Sequence, residues 1–238
     1  MNTFWLRIKA PFAAFRGFQA GVYRSTAPVI PPSAAYGLIL NLAGIEMRDT
    51  KNGVTTEIRQ DLPVMRLAIG VKQSSEKSSM YQQLHSYPVG NSGKDLAPLA
   101  KGAKFWITPV RRELLIDYEG IIGVQTEDET LLETIEKGLR GELEINRYGL
   151  PFAGDNNFLF DKIEVLTAPP EKVVWYVRHQ TDDKAVKGSC RLYVGINRTD
   201  NSKTTSFVFV PKENLTAPLP EIAWTWTPHP PQAKTTLF

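Results

Sequence analysis

APVIPPSAAYGLILNLAG, residues 27–44, decides the fold. Pro31 and Pro32 stop an extended segment, because proline fixes φ and has no N–H to give. Ser33 follows as a natural N-cap, an apolar helix is expected over residues 33–43, and Gly44 fits the C′ stop. The stretch reads as a strand, a tight loop and a buried helix.

Ahead of it, residues 3–9 alternate as a strand does, with Phe4, Leu6 and Ile8 on one face and Trp5, Arg7 and Lys9 on the other. Pro11 is expected to end that strand, and residues 10–30 are a long connection without periodicity. Beyond the helix, residues 62–71 read as a strand whose apolar face is interrupted by Arg66. Residues 73–102 are rich in Ser, Gly, Lys and Gln: too polar for a core and long for a loop, they are a functional or a flexible excursion. Residues 105–109 and 113–124 read as two strands. Residues 127–138 read as a helix with Leu131, Leu132 and Ile135 on one face, and residues 158–166 as the next strand.

The order strand–helix–strand–strand–helix–strand is that of an α+β, ferredoxin-like domain, expected over residues 1–168. RNA-recognition motifs share this order, although topology alone assigns no function. After Pro169-Pro170, strand candidates at 173–178, 190–196 and 205–210 predict a small β-rich second domain over 169–238. Residues 217–238, punctuated by prolines, read as a tail wrapping a surface.

Composition narrows the classes. The 238 residues, 42% hydrophobic and 22% charged, can fill a substantial core and do not read as disordered. Cys190 is the one cysteine, which excludes an intrachain disulfide and points to a reducing compartment; without a long apolar run, the cytoplasm is expected and no membrane. The net charge of +3 says little, but its distribution is uneven. Residues 1–45 carry Arg7, Lys9, Arg16 and Arg24 and no carboxylate. Residues 72–112 carry seven basic groups against Glu76 and Asp95, and residues 113–144 carry ten acids against Lys137 and Arg140. Such polarity suits one face on a polyanion, and it also suits an ordinary patchy surface.

Motifs for metal or nucleophilic catalysis are missing from the sequence. His85, His179 and His229 stand in unrelated contexts without metal-ligand spacing, and neither a GxSxG nor a Walker A loop occurs. Glu127-Asp128-Glu129 opens a helix, where acids favour the macrodipole. Metal-independent RNA cleavage needs a base, an acid and a cation, and His85, Tyr87 and Lys94 form such a set. The same segment also reads as a turn with an aromatic packed on Pro88, or as a stacking surface. In residues 138–158, Gly149, Gly154 and Asp155-Asn156-Asn157 allow positive φ and expose N–H groups, while Arg147 and Tyr148 add a phosphate contact and a stacking face. A plain hairpin loop fits equally. In the first connection, Phe12, Phe15 and Phe18 interleave with Arg16, and Tyr23 adjoins Arg24. That is an RNA-binding loop or a core plug.

Residues 5–44, LHSYPVGNSG at 84–93, residues 105–118, and RYGLPFAGDNNFLFD at 147–161 together resemble the CRISPR-associated Cas five family of the RAMP superfamily, most of all its type I-B kind. The resemblance implies a ferredoxin-like domain with a β-hairpin thumb at about residues 73–103 and a small C-terminal β domain. It implies a non-catalytic Cascade subunit, without cofactor or metal, that grips the 5′ handle of the CRISPR guide RNA and caps the filament of backbone subunits. There it would contact the large PAM-reading subunit and, through the complex, target DNA. By this reading Arg16, Arg24, Ser25 and Arg48 lie near the handle path, His85, Tyr87, Arg111 and Arg112 belong to the thumb or its base, and Arg147 and Asn156 to the glycine-rich loop. One branch, in type I-C systems, cuts the precursor RNA with a Tyr, a Lys and an adjacent His. This chain has no Lys-His dipeptide, Leu42-Ala43-Gly44 stands where that tyrosine is expected, and Tyr36 lies inside the helix. Alternatives are a metal-independent endoribonuclease, the same subunit in a CRISPR-guided transposon, and a generic interaction module that binds no RNA.

Overall fold

Helix α1 (Pro32–Leu42) starts one residue earlier than expected, with Pro31 at the N-cap in extended backbone and no side chain capping the end. Ser33 lies inside the first turn instead. Proline is suited to that turn because its N–H groups have no helical partner to lose. At the other end Gly44 has φ 70°; its N–H donates to the Asn41 carbonyl at 3.1 Å and that of Ile45 to Leu40 at 2.8 Å, a Schellman closure. Between these stops Ala35, Tyr36, Leu38, Ile39, Leu40 and Leu42 are buried.

The structure, a computed structural model, describes residues 1–17, 23–49, 56–88, 98, 105–145, 147, 149–180 and 186–231, without the side chains of 84–88 and 105–108. Strand β1 (Asn2–Ala13) continues through Pro11. Its register against β5 (Phe105–Thr126) holds on both sides, Ala10 facing Tyr118 and Phe12 facing Ile116, and Asp117 between them takes a left-handed φ of 50°. The two strands expected at 105–109 and 113–124 are one strand of 22 residues, because pairing runs unbroken past Pro109 and Arg111-Arg112.

The remaining strands are β2 (Tyr23–Arg24), β3 (Met65–Val71), β4 (Glu76–Pro88), β6 (Lys162–Leu166), β7 (Val174–Arg178), β8 (Cys190–Gly195), β9 (Thr205–Lys212) and β10 (Thr225–Thr227). The polar excursion thus contains β4, while 89–97 and 99–104 lie outside the described residues. Among the described residues the strands form one ten-stranded sheet in the order β6-β1-β5-β3-β7-β9-β8, with β10 on β3 and with β2 and β4 on β5. Every neighbouring pair is antiparallel except β2 with β5. The strands after Pro169-Pro170 continue the sheet of the first part through β3.

Alternation sorts the side chains onto two faces. One face brings Leu6, Ile8, Leu67, Ile69, Ile122 and Val124 under α1 and α2 (Leu131–Arg140). On the other, Trp5, Ala68, Ile121, Trp175, Val177 and Val210 are covered by Leu215, Leu219, Ala223 and Trp224. Trp5 lies 5.6 Å from Trp175 and 5.7 Å from Trp224 between ring centroids. Arg66, the interruption in β3, pairs with Glu221 and lies 5.7 Å over the Trp226 ring, tying this segment down. The expected wrapping tail therefore supplies a strand and core residues over its described part. No helix among the described residues is long and apolar enough to cross a membrane.

The two helices touch at a glycine. A Cβ on Gly138 of α2 would lie 1.8 Å from the Leu42 carbonyl oxygen of α1, and backbone cannot yield that much. Gly138→Ala is expected to lower unfolding free energy by at least about 2 kcal/mol, the upper range of overpacking, read from the urea midpoint. A change within about 0.5 kcal/mol, the range of an inert surface substitution, would disprove the close contact.

Candidate nucleic-acid interface

The first connection folds back on itself as it leaves β1. Phe15 donates its N–H to Thr26 Oγ1 at 2.9 Å and accepts from Ala27 N–H at 2.8 Å, and Gly17 N–H reaches the Ser25 carbonyl at 3.4 Å. The Phe15 ring is the core plug: it sits edge-to-face on Tyr118 at 5.0 Å. Tyr118 in turn accepts the Ile30 N–H at 3.1 Å, and burial pushes this phenol far above its ordinary pKa. Phe12 is exposed, and Phe18 lies outside the described residues. The returning limb is held to β5 by β2, which sets Tyr23 beside Arg111 and Arg24 beside Arg112. Glu113 adds a lock, accepting the Thr26 N–H at 2.9 Å, Lys77 Nζ at 3.3 Å and the Tyr23 hydroxyl at 3.4 Å.

The glycine-rich loop meets this connection. Ala14 N–H donates to the Ala153 carbonyl at 2.9 Å. Gly154 has φ 82°, and a Cβ there would come within 2.4 Å of the Ala14 carbonyl oxygen, so only glycine fits. Asp155 Oδ1 then accepts from both the N–H and the Nδ2 of Asn157 at 2.9 and 2.8 Å. Its Oδ2 takes the Arg112 guanidinium at 2.6 Å, with side chains only 12% (Arg112) and 10% (Asp155) exposed. Burial holds Arg112 below arginine's ordinary pKa; Asp155 opposes that shift, and nearby Arg24 and Arg16 add to it. Arg112 is thus paired with Asp155, while Arg24 beside it in the register and Arg16 act on its charge without a carboxylate of their own among the described residues, a local excess of positive charge that a phosphate chain can neutralise.

The expected site residues fall into three groups. Arg16, Arg24, Ser25, Arg112 and Asn156 gather where the first connection, β5 and the glycine-rich loop meet. Arg111 stands on the opposite face of β5 from Arg112, its Nε donating to Ser79 Oγ at 2.9 Å. Arg48 lies apart: its guanidinium binds both oxygens of Glu46 at 3.0 and 2.8 Å, which pulls that carboxyl down to about 2. This pair edges a cleft of about 460 Å³ lined by Phe15, Ile30, Leu38, Met47, Leu150 and Phe152. Arg147 is half-buried at the start of the glycine-rich loop. The side chains of His85 and Tyr87 lie outside the described residues, as do Tyr148 and Lys94. Sequence reading missed the organising roles of Asp155 and Glu113; the one signal for Asp155 was its place after a glycine that must turn. Among the described residues, no group of three His, Cys, Asp or Glu is arranged to hold a metal ion.

A family model, Cas_Cas5d, described as CRISPR-associated protein (Cas_Cas5), matches residues 3–141. The match covers more than half of the chain, and the chain belongs to this CRISPR-associated family. In fold it is similar to a chain of a CRISPR RNA-guided surveillance complex, with a TM-score of 0.57, 16% identity and 92% of each chain covered. It is also similar to a crystal structure of a Cas protein, with a TM-score of 0.52, 13% identity, and 92% of this chain and 98% of that one covered. No curated protein matches the chain.

Asp155→Ala strands a mostly buried guanidinium and is expected to cost about 3 kcal/mol in urea unfolding. Replacing both partners, Arg112→Met with Asp155→Ala, is expected to recover more than half of that loss. Additive losses in this double-mutant cycle would show the pair to be uncoupled.

Proposed function

We propose that this chain is a non-catalytic subunit of a type I Cascade complex that holds the 5′ handle of the guide RNA and caps the filament of backbone subunits, next to the large subunit that reads the PAM. The observation that carries this reading is the gathering of Arg24 and Arg16 near the Arg112–Asp155 pair, in a chain of this CRISPR-associated family. A mobile polyanion is held by such a cluster through phosphate contacts, while unpaired bases are read at their edges and stacked.

The fold supports the reading. The run β6-β1-β5-β3 with two crossover helices fits a ferredoxin-like domain, and the antiparallel β4–β5 ribbon fits a thumb. His85, Tyr87 and Arg111 belong to that ribbon, Arg147 and Asn156 to the glycine-rich loop, and Arg48 lies near the handle path. Target DNA is reached through the complex. The cytoplasm fits such a role.

A second reading, an endoribonuclease that cuts precursor RNA without metal, draws support from the matching model itself, since Cas_Cas5d is a type I-C family. Two facts weigh against it. The chain has no Lys-His dipeptide, and Tyr36 is 2% exposed with its hydroxyl donating to the Pro63 carbonyl at 2.8 Å. The type I-B assignment rests on the sequence resemblance alone.

Incubation with end-labelled repeat RNA in EDTA separates the readings. Retarded but intact RNA on native and denaturing gels is the expected result. A discrete product that disappears in His85→Ala would establish the nuclease instead. Binding is expected to weaken with salt, and Arg24→Ala to lower the slope of log K against log salt by about 0.7, one phosphate contact on a single strand.

A further inference from the structure

Beside α1 the fold leaves open the cleft of about 460 Å³ that the Arg48–Glu46 pair edges. That volume lies in the range of small-molecule sites, which are mostly apolar with a few placed polar groups. The helix contributes Gly37 and Leu38, the segment after it Met47 and Ile58, and the glycine-rich loop Leu150 and Phe152. Leu150 is 65% exposed and Phe152 is 49% exposed, so large apolar groups face water at the rim. The wall is already in place: Asn41 Nδ2 of α1 donates to the Gly149 carbonyl at 3.3 Å, and Phe152 bridges to Leu159.

Gly37 is a second, independent sign that the space is kept open. It lies inside α1, where glycine weakens a helix relative to alanine. Gly138 is required by the Leu42 carbonyl against it, but no such neighbour requires Gly37. Outside the helix's own backbone a Cβ at Gly37 would meet only Met47 Sδ within 4 Å, at 3.6 Å, an ordinary contact. A side chain there would fill the cleft.

Charge selects among occupants. The Arg48 guanidinium is engaged with both oxygens of Glu46. Arg198, on the connection between β8 and β9, lines the same cleft and is exposed, and it has no carboxylate partner among the described residues. An apolar space with one open cation suits a molecule that is apolar along its body and anionic at one end. A nucleobase fits it poorly, because its polar edges would lose water against aliphatic side chains.

We propose that this cleft binds a free amphipathic monoanion, its ring or alkyl body between α1 and the glycine-rich loop and its carboxylate or sulfonate on Arg198. The inference does not rest on the RNA reading, and it gives the chain a small-molecule site beside its proposed nucleic-acid interface.

The test is a fluorescence titration of the full-length chain with anilinonaphthalene sulfonate, an apolar body with one anionic group. Phenylnaphthylamine, the same body without the charge, is titrated in parallel. Saturable binding of both dyes is expected, with decanoate displacing the sulfonate. Gly37→Leu puts a better helix former into the cleft and is expected to weaken both dyes about tenfold, the scale of one lost aliphatic burial, without lowering the thermal midpoint. Arg198→Ala is expected to weaken the sulfonate about fivefold, the upper range of an exposed charge pair, and to leave the uncharged dye within about twofold. Parent-like binding of both dyes by Gly37→Leu overturns the site. Equal effects of Arg198→Ala on the two dyes overturn the role of the cation, a comparison that holds even where Gly37→Leu does not fold. Failure of decanoate to compete overturns a free organic anion as the occupant, and so does equal competition by uridine monophosphate, which would assign the cleft to a nucleotide. Repeat RNA takes no part in the titration, so failure of the RNA reading leaves each of these outcomes unchanged.

Discussion

A guanidinium drawn most of the way out of water must keep a carboxylate beside it, and in this chain Arg112 keeps Asp155. That requirement decides where two otherwise independent loops sit. Asp155 reaches β5 only because Gly154 turns against the Ala14 carbonyl, and the turn packs the glycine-rich loop onto the first connection. The first connection is itself pinned to β5 by β2 and by Glu113. One ion pair thus closes a ring of three segments, and the cations left over, Arg16 and Arg24, collect at its rim.

Strand β5 is the beam on which this rests. Its C-terminal half lies between β1 and β3, and its N-terminal half runs on beyond β3 to pair with β4 and β2. The alternation that buries Tyr118, Ile122 and Val124 under the helices is broken at Asp117, where φ is 50°, and resumes beyond it, so Arg111 and Arg112 emerge on opposite sides. The pleat of the outer strand thus sets the directions in which two adjacent arginines point.

Much of this was legible where a residue carries its own conformational rule. The prolines and Gly44 marked both ends of α1 to within a residue, because each restricts backbone by itself. The alternation of β1 marked its two faces. What depends on a neighbour stayed hidden: Pro11 and Pro109 read as breaks, yet pairing carries the strands past both. The proline-rich end read as a surface wrap, although Leu219, Ala223, Thr225 and Thr227 are buried. At the site, Arg16, Arg24, Arg112 and Asn156 were chosen from separate motifs, and the fold brings them into one place. The pairing of Arg112 with Asp155 stayed hidden, since charge pairing is a property of the assembled fold.

The tryptophan nest on the far side of the sheet has a practical consequence. Trp5 stands in the first strand and Trp224 beside the last, and Trp175 lies between them in the chain. Indoles held at fixed angles give a near-ultraviolet dichroic signal that vanishes when packing loosens, even if the secondary structure survives. The protein thus carries a built-in optical gauge of whether its two ends are joined, on the face away from the helices.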